Sequence, residues 1–269
     1  MKTKIELKDL VKDRYTAIAE CQDTPTQGCS CCCGASTTKI TDYSNFSDDY
    51  STLEGYVPEA DMGLGCGLPT EFAGIKEGNH VLDLGSGAGN DCFVARALTG
   101  PNGKVTGLDF TDIMIIKARK NAEKLGFTNV EFFHGDIEEM PFHDGIIDVV
   151  ISNCVLNLVP DKNKAFSEIY RVLKPGGHFC ISDVVLHGTL PPSLQASAEM
   201  YAGCVAGALQ QEYYLKIISD TGFNNISVVK VKQVEIPDDV LAMIATKSEI
   251  ESLKATDTGI FSITVTAEK

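Results

Sequence analysis

Short runs of β-branched and aliphatic residues alternate with longer amphipathic stretches from His80 onward. Segments 80–84, 104–109, 130–134, 146–152 and 178–183 read as strands, and 91–98, 112–125 and 161–173 between them as helices. Lys174-Pro175-Gly176-Gly177 stops the last of these helices. Regular alternation of this kind predicts a doubly wound, parallel α/β sheet. Ahead of it lie a predicted helix over 4–20 and a stretch to about residue 79, rich in Cys, Gly, Ser, Thr and Asp, which reads as a cap with little regular structure. Behind it, helices are expected at 194–208 and 212–221, strands at 226–233 and 260–267, and a helical insertion over 237–257. The expected organisation is an N-terminal helix and cysteine-rich cap (1–78), a ligand-binding core (79–185), substrate-cap helices (186–222) and terminal strands completing the sheet (223–269).

Composition narrows the function classes. The 269 residues are 43% hydrophobic and 22% charged, an ordinary globular balance. Against 23 Lys and Arg stand 37 Asp and Glu, a formal charge of -14, which repels phosphate backbones and anionic lipid headgroups, so no nucleic acid or membrane partner is expected. The first ten residues lack an apolar signal core, and the longest apolar stretch, 146–159, is broken by Asp148, Asn153 and Asn157, so a cytoplasmic location is expected. Ten cysteines in such a chain are read as reduced thiols, which suit soft metals and metalloids.

The first strand runs into Val81-Leu82-Asp83-Leu84-Gly85-Ser86-Gly87-Ala88-Gly89, where glycines let the backbone turn sharply beside a ligand. A dinucleotide fingerprint wants glycine at position 90, which is Asn, and Asp83 would repel a pyrophosphate while suiting a cationic amino acid moiety. S-adenosylmethionine is therefore favoured over NAD. Asp109, closing the second strand, is placed to accept ribose hydroxyls, and Asp136, after the third, an adenine amino group. The candidate cofactor set is Asp83, Gly85, Ser86, Gly87, Gly89, Asp109, Met114, Asp136, Ile137 and Asn153. Residues 80–183, including Tyr170-Arg171-Val172-Leu173-Lys174-Pro175-Gly176-Gly177, resemble the class I S-adenosylmethionine-dependent methyltransferases. That resemblance implies a Rossmann-like, mostly parallel seven-stranded sheet with its last strand antiparallel.

Three cysteines have contexts that a generic methyltransferase does not need. Cys66 lies in Gly63-Leu64-Gly65-Cys66-Gly67-Leu68-Pro69, read as an exposed, mobile turn; Cys154 follows the fourth strand; Cys204 lies in the later cap. Together with Ser152-Asn153-Cys154-Val155-Leu156-Asn157-Leu158-Val159-Pro160-Asp161-Lys162, this combination resembles the arsenite methyltransferases. The resemblance carries that family's three arsenic-binding thiols onto Cys66, Cys154 and Cys204, and implies arsenite and methylarsenite as substrates. Cys92 and Cys180, in a helix and a strand, read as small buried hydrophobes. His134, His143, His178 and His187 show no ligand spacing.

Cys29-Ser30-Cys31-Cys32-Cys33 packs four thiols into a polar stretch, open to reading as a redox relay, a metal clip or a disordered tail; Cys21 is equally open. As a relay it would exchange with the binding thiols and be regenerated by a thioredoxin-like or glutathione reductant. Two other readings compete with arsenite methylation: a small-molecule C- or O-methyltransferase of the quinone type, with incidental cysteines, and a non-catalytic thiol-rich metalloid-binding protein.

Overall fold

Strands that are apolar along nearly their whole length can sit only where both faces are covered. β1 (His80–Leu84) buries every residue after His80, β2 (Lys104–Asp109) every residue after Lys104, and β4 (Ile147–Asn153) all but Asp148 and Asn153. In the computed structural model these strands form the centre of the sheet, between β3 (Val130–His134) and β5 (Leu173–His187). The covering helices are α3 (Asn90–Thr99), α4 (Asp112–Lys124) and α5 (Lys162–Val172). The structure describes residues 3–21, 48–196, 207–234, 241–243, 245–255 and 258–269.

The strand order is β3-β2-β1-β4-β5-β8-β7, with β1 to β5 parallel and β8 (Gly259–Glu268) antiparallel to both β5 and β7 (Asn224–Val234). This is the expected sheet; the two-residue β6 (Leu209–Gln210), beside β5, is too short for a hydrophobic pattern to reveal. The order reverses between β1 and β4, and open α/β sheets bind ligands at the carboxyl edge of such a reversal. Register sets that edge: Leu84 lies opposite Leu108 and Ser152, Asp109 opposite His134, and Asn153 opposite Ser182. Leu82, Val150, Phe166, Phe179 and Ile263 pack one side, and Val81, Phe93, Val105 and Val149 the other.

Where pattern and structure differ, backbone chemistry explains it. The fifth strand begins at Leu173 rather than 178, because Lys174 to Gly177 form a bulge instead of a break. Gly176 takes φ +77°, and the Gly176 amide and Gly177 carbonyl bond to Lys269 at 3.0 and 2.9 Å, tying the bulge to the end of β8. α1 (Lys4–Cys21) starts at a capping box in which Thr3 and Glu6 bond reciprocally. The segment expected to carry little regular structure contains, among its described residues, one helical turn, α2 (Pro69–Phe72). Of the helix expected over 194–208, residues 194–196 fall in α6 (Pro192–Ala196), Gly207 and Ala208 are not helical, and 197–206 lie outside the described residues. α7 (Gln211–Thr221) and α8 (Lys247–Ala255) complete the fold, the latter inside the expected insertion. Among the described residues no helix is long and apolar enough to cross a membrane.

Candidate active site

The loop after β1 is built from left-handed glycines, Gly85, Gly87 and Gly89, at φ +71°, +51° and +101°. At Gly85 a Cβ would also strike the Val155 side chain, so two independent constraints select glycine there. The amides of Gly85 and Ser86 donate to the Leu108 carbonyl at 2.7 and 3.0 Å. The Asp109 carboxylate accepts from the Gly87 amide at 3.0 Å and the Thr111 amide at 2.8 Å. The residue predicted to hold ribose therefore also fastens the glycine loop.

A cleft opens above this edge. All ten candidate cofactor residues except Gly89 line it, as does Cys154. Its floor is electrostatically unusual. Asp83 is buried and Asp91 half-buried, and both are held above the ordinary carboxylate range: Asp91 is pushed up to about 6 by desolvation, and Asp83 is raised well above that range by burial and by the neighbouring Asp91 charge. The buried Ser86 Oγ and Asn90 Oδ1, also in the lining, have no hydrogen-bond partner among the described residues. Two crowded carboxyls and two unsatisfied polar atoms match a cationic, hydrogen-bonding ligand such as the methionyl end of S-adenosylmethionine, and would repel a pyrophosphate.

Cys66 and Cys154 are both buried, and Cys154 lines the cleft while Cys66 does not. They are 1% and 4% exposed and belong to one apolar cluster with Leu158, Val184 and Leu190. The expected exposed, mobile turn at Cys66 is thus corrected: it is buried and pinned. The Asn153 carbonyl oxygen accepts from the Cys66 amide at 2.9 Å and the Gly67 amide at 3.3 Å. Its amide nitrogen donates to the Gly67 carbonyl at 2.8 Å and the Tyr50 hydroxyl at 2.6 Å, and Ser262 Oγ donates to the Cys66 carbonyl at 2.6 Å. Asn153 lines the cleft, yet its polar atoms serve the Cys66 turn. Cys154 takes φ +59°, and its amide donates to the Ser182 carbonyl at 2.7 Å. Cys204, Cys29, Cys31, Cys32 and Cys33 lie outside the described residues.

The remaining thiols behave differently. Cys92 and Cys180 are fully buried, and burial pushes Cys180 up to about 12 and Cys92 well above a normal thiol. Cys92 donates to Asp83 Oδ2 at 3.2 Å. His134 and His178 bond the carbonyls of Phe110 and Ala73 at 2.9 and 2.6 Å, in line with structural roles.

Sequence reasoning missed three contributors. Asp91 was read only as a helix start, and Tyr50 lay in a stretch without pattern; Tyr50 donates to both Asp91 oxygens at 2.9 Å. The third is α1, whose Lys8, Val11 and Tyr15 wall the cleft. Lys8 pairs with Asp136 at 2.5 Å and Glu138 at 2.6 Å, while Lys4 and Lys12 pair with Asp161 and Asp112 at 2.8 and 3.1 Å. Lysines spaced four apart on one helix face were the available signal.

A sheet of this order with an acidic, glycine-walled cleft at its reversal is that of the class I methyltransferases. Residues 75–222 match the methyltransferase-domain family. The chain is 40% identical over 235 residues to an arsenite methyltransferase of Halobacterium salinarum, covering 83% of this chain and 59% of that one. A solved arsenic(III) S-adenosylmethionine methyltransferase from Chlamydomonas reinhardtii is 36% identical with a TM-score of 0.65, covering 76% of this chain and 67% of that one. Demethylmenaquinone methyltransferase of Lactococcus lactis is 33% identical, covering 61% and 68% respectively. The chain belongs to the arsenite methyltransferase family, while spanning well under two thirds of the curated arsenite methyltransferases it matches.

Proposed function

We propose that this chain transfers a methyl group from S-adenosylmethionine to trivalent arsenic held by Cys66, Cys154 and Cys204. The observation that carries the reading is that buried Cys66 and Cys154 share one apolar cluster and that Cys154 lines a cleft also lined by crowded carboxyls. In capture, each arsenic–oxygen bond of arsenite is exchanged for an arsenic–sulfur bond, and each departing hydroxyl leaves as water with a thiol proton. The bound arsenic is neutral and keeps one lone pair. S-adenosylmethionine supplies a methyl group activated on a sulfonium.

The chain's own part is placement. Asp83 and Asp91 face the cationic end of the cofactor, Asp109 its ribose and Asp136 its adenine, once Lys8 yields that carboxylate. Asn153 and Ser262 hold the Cys66 turn, and Val155 and Leu158 keep water from the thiols. No general base is required, because the acceptor has no proton to lose; orientation of this kind is worth roughly 7–11 kcal/mol. Attack through the lone pair leaves arsenic formally pentavalent, so two electrons must return to it. Cysteine thiols supply them by closing a disulfide, which the 29–33 cluster relays to a thioredoxin-like or glutathione reductant.

The test is labelled S-adenosylmethionine with arsenite and a dithiol, products separated by chromatography with arsenic detection. Methylarsenicals are expected, and their loss in Cys154→Ser and Cys66→Ser but retention in Cys180→Ser. Methylation confined to an organic acceptor such as demethylmenaquinone, or arsenite binding without any product, overturns the proposal.

A further inference from the structure

Cys154 takes a left-handed backbone, which a residue with a Cβ adopts only where its surroundings over-determine it. Its amide bond to Ser182 is one restraint. The others act on the turn immediately after it, Leu156–Leu158. Lys162, at the start of α5, donates from Nζ to the carbonyls of Asn157 and Val159, each at 3.1 Å. Asp183, on β5, accepts from the Asn157 amide, from the Val184 amide at 3.0 Å and from the Tyr214 hydroxyl at 3.0 Å. Tyr214 reaches Asp183 from α7, so α5 and β5 bond the short turn directly and α7 supports it through Asp183.

All three groups are buried: Asp183 and Tyr214 are 0% exposed and Lys162 8%. Packing alone does not call for them. The Tyr214 ring lies edge-on to Phe166 at 5.6 Å in the apolar core, room that phenylalanine would fill equally well. Burying a hydroxyl, a carboxyl and an ammonium costs free energy that their hydrogen bonds must offset.

We infer that Tyr214, through Asp183 and together with Lys162, is a positioning residue that sets the backbone of Cys154 for arsenic capture; the inference rests on the transfer proposed above. Tyr214→Phe keeps the packing and removes only the donor. The arsenite concentration at half-saturation is expected to rise about tenfold, with the KM for S-adenosylmethionine unchanged. In the protein without arsenite, peptide-resolved N-ethylmaleimide labelling should modify Cys154 about threefold faster as its turn loosens, with Cys66 unaltered. Asp183→Asn, whose amide oxygen still accepts from Asn157, should fall between wild type and Asp183→Ala.

A folded Tyr214→Phe with wild-type labelling and wild-type arsenite dependence overturns the inference, as does an equal shift in both substrates' KM, which marks general loosening. Should that variant not fold, Lys162→Met carries the same expectations. If the wild type transfers no methyl to arsenite, the functional proposal fails, while the labelling ratio still decides whether the clamp sets Cys154.

Discussion

At the scale of single residues, the site depends on close approach and on burial. A Cβ at Gly65 would lie 2.5 Å from Asn153 Nδ2, and one at Gly67 2.6 Å from Ser182 Oγ, so the Cys66 turn is packed against its supports on both sides. Gly78 takes φ +84° in open space. Gly65→Ala should cost roughly 1–3 kcal/mol by overpacking, and Gly78→Ala a comparable 1–2 kcal/mol, roughly, by backbone strain. Only Gly65→Ala should impair arsenite capture, measured by calorimetry with arsenite; equal effects of the two would detach Asn153 from the cysteine turn. Burial acts on Asp183, pushed up to about 7. The folded chain therefore keeps a proton that the unfolded chain releases near pH 4. This contribution to stability is fully present below about pH 4 and is lost as pH rises through about 7. Thermal midpoints measured from about pH 5 to 8 should fall, and Asp183→Asn should flatten the decline.

At the scale of elements, α1 is seated by Val11 and Ala19, which are 2% and 0% exposed, and latched by three lysines to acidic residues from three separate segments at the carboxyl edge. Lys8 is the inner latch, since Glu138 is only 9% exposed and Lys8 and its other partner Asp136 both line the cleft. Exposed pairs are screened by salt, whereas buried apolar contacts are not. Replacing Lys4, Lys8 and Lys12 together by Ala should speed hydrogen exchange of the α1 amides about tenfold. High salt should do the same to the wild type but add little in the triple variant. An α1 equally protected in both would mean that Val11 and Ala19 alone hold it. The pattern of α1 was visible in the sequence as a helix; its role as a wall was not, because the acidic partners are contributed by residues about 100 to 157 positions away.

At the scale of the whole molecule, ligand binding and stability are linked, because the cleft exists only when β1, β2, β3 and β4 are assembled. S-adenosylmethionine at about 100 times its dissociation constant should add about 2.7 kcal/mol of stability, raising the melting temperature by roughly 5–10 °C for a chain of this size. Asp109→Ala should abolish most of that rise, since the carboxylate also anchors Gly87 and Thr111. A full thermal shift in that variant would show that the β2 carboxylate does not serve the cofactor.

The sequence by itself determined the strand and helix order, the glycine loop after β1 and the carboxylates at successive strand ends. Each of those is local: a period of two or of 3.6, or a residue type required by a turn, is written in neighbouring positions. Burial was not legible. The Cys66 turn is polar and glycine-rich, which reads as exposed, and only Asn153 and Ser262, 87 and 196 positions away, bury and fix it. The same holds for the crowding of Asp83 with Asp91 and for the left-handed Cys154, held by Ser182 and by the clamp on the turn that follows it. Tertiary structure decided these, because desolvation and strain depend on which distant chain segments close over a residue, and no single segment's pattern records its neighbours in space.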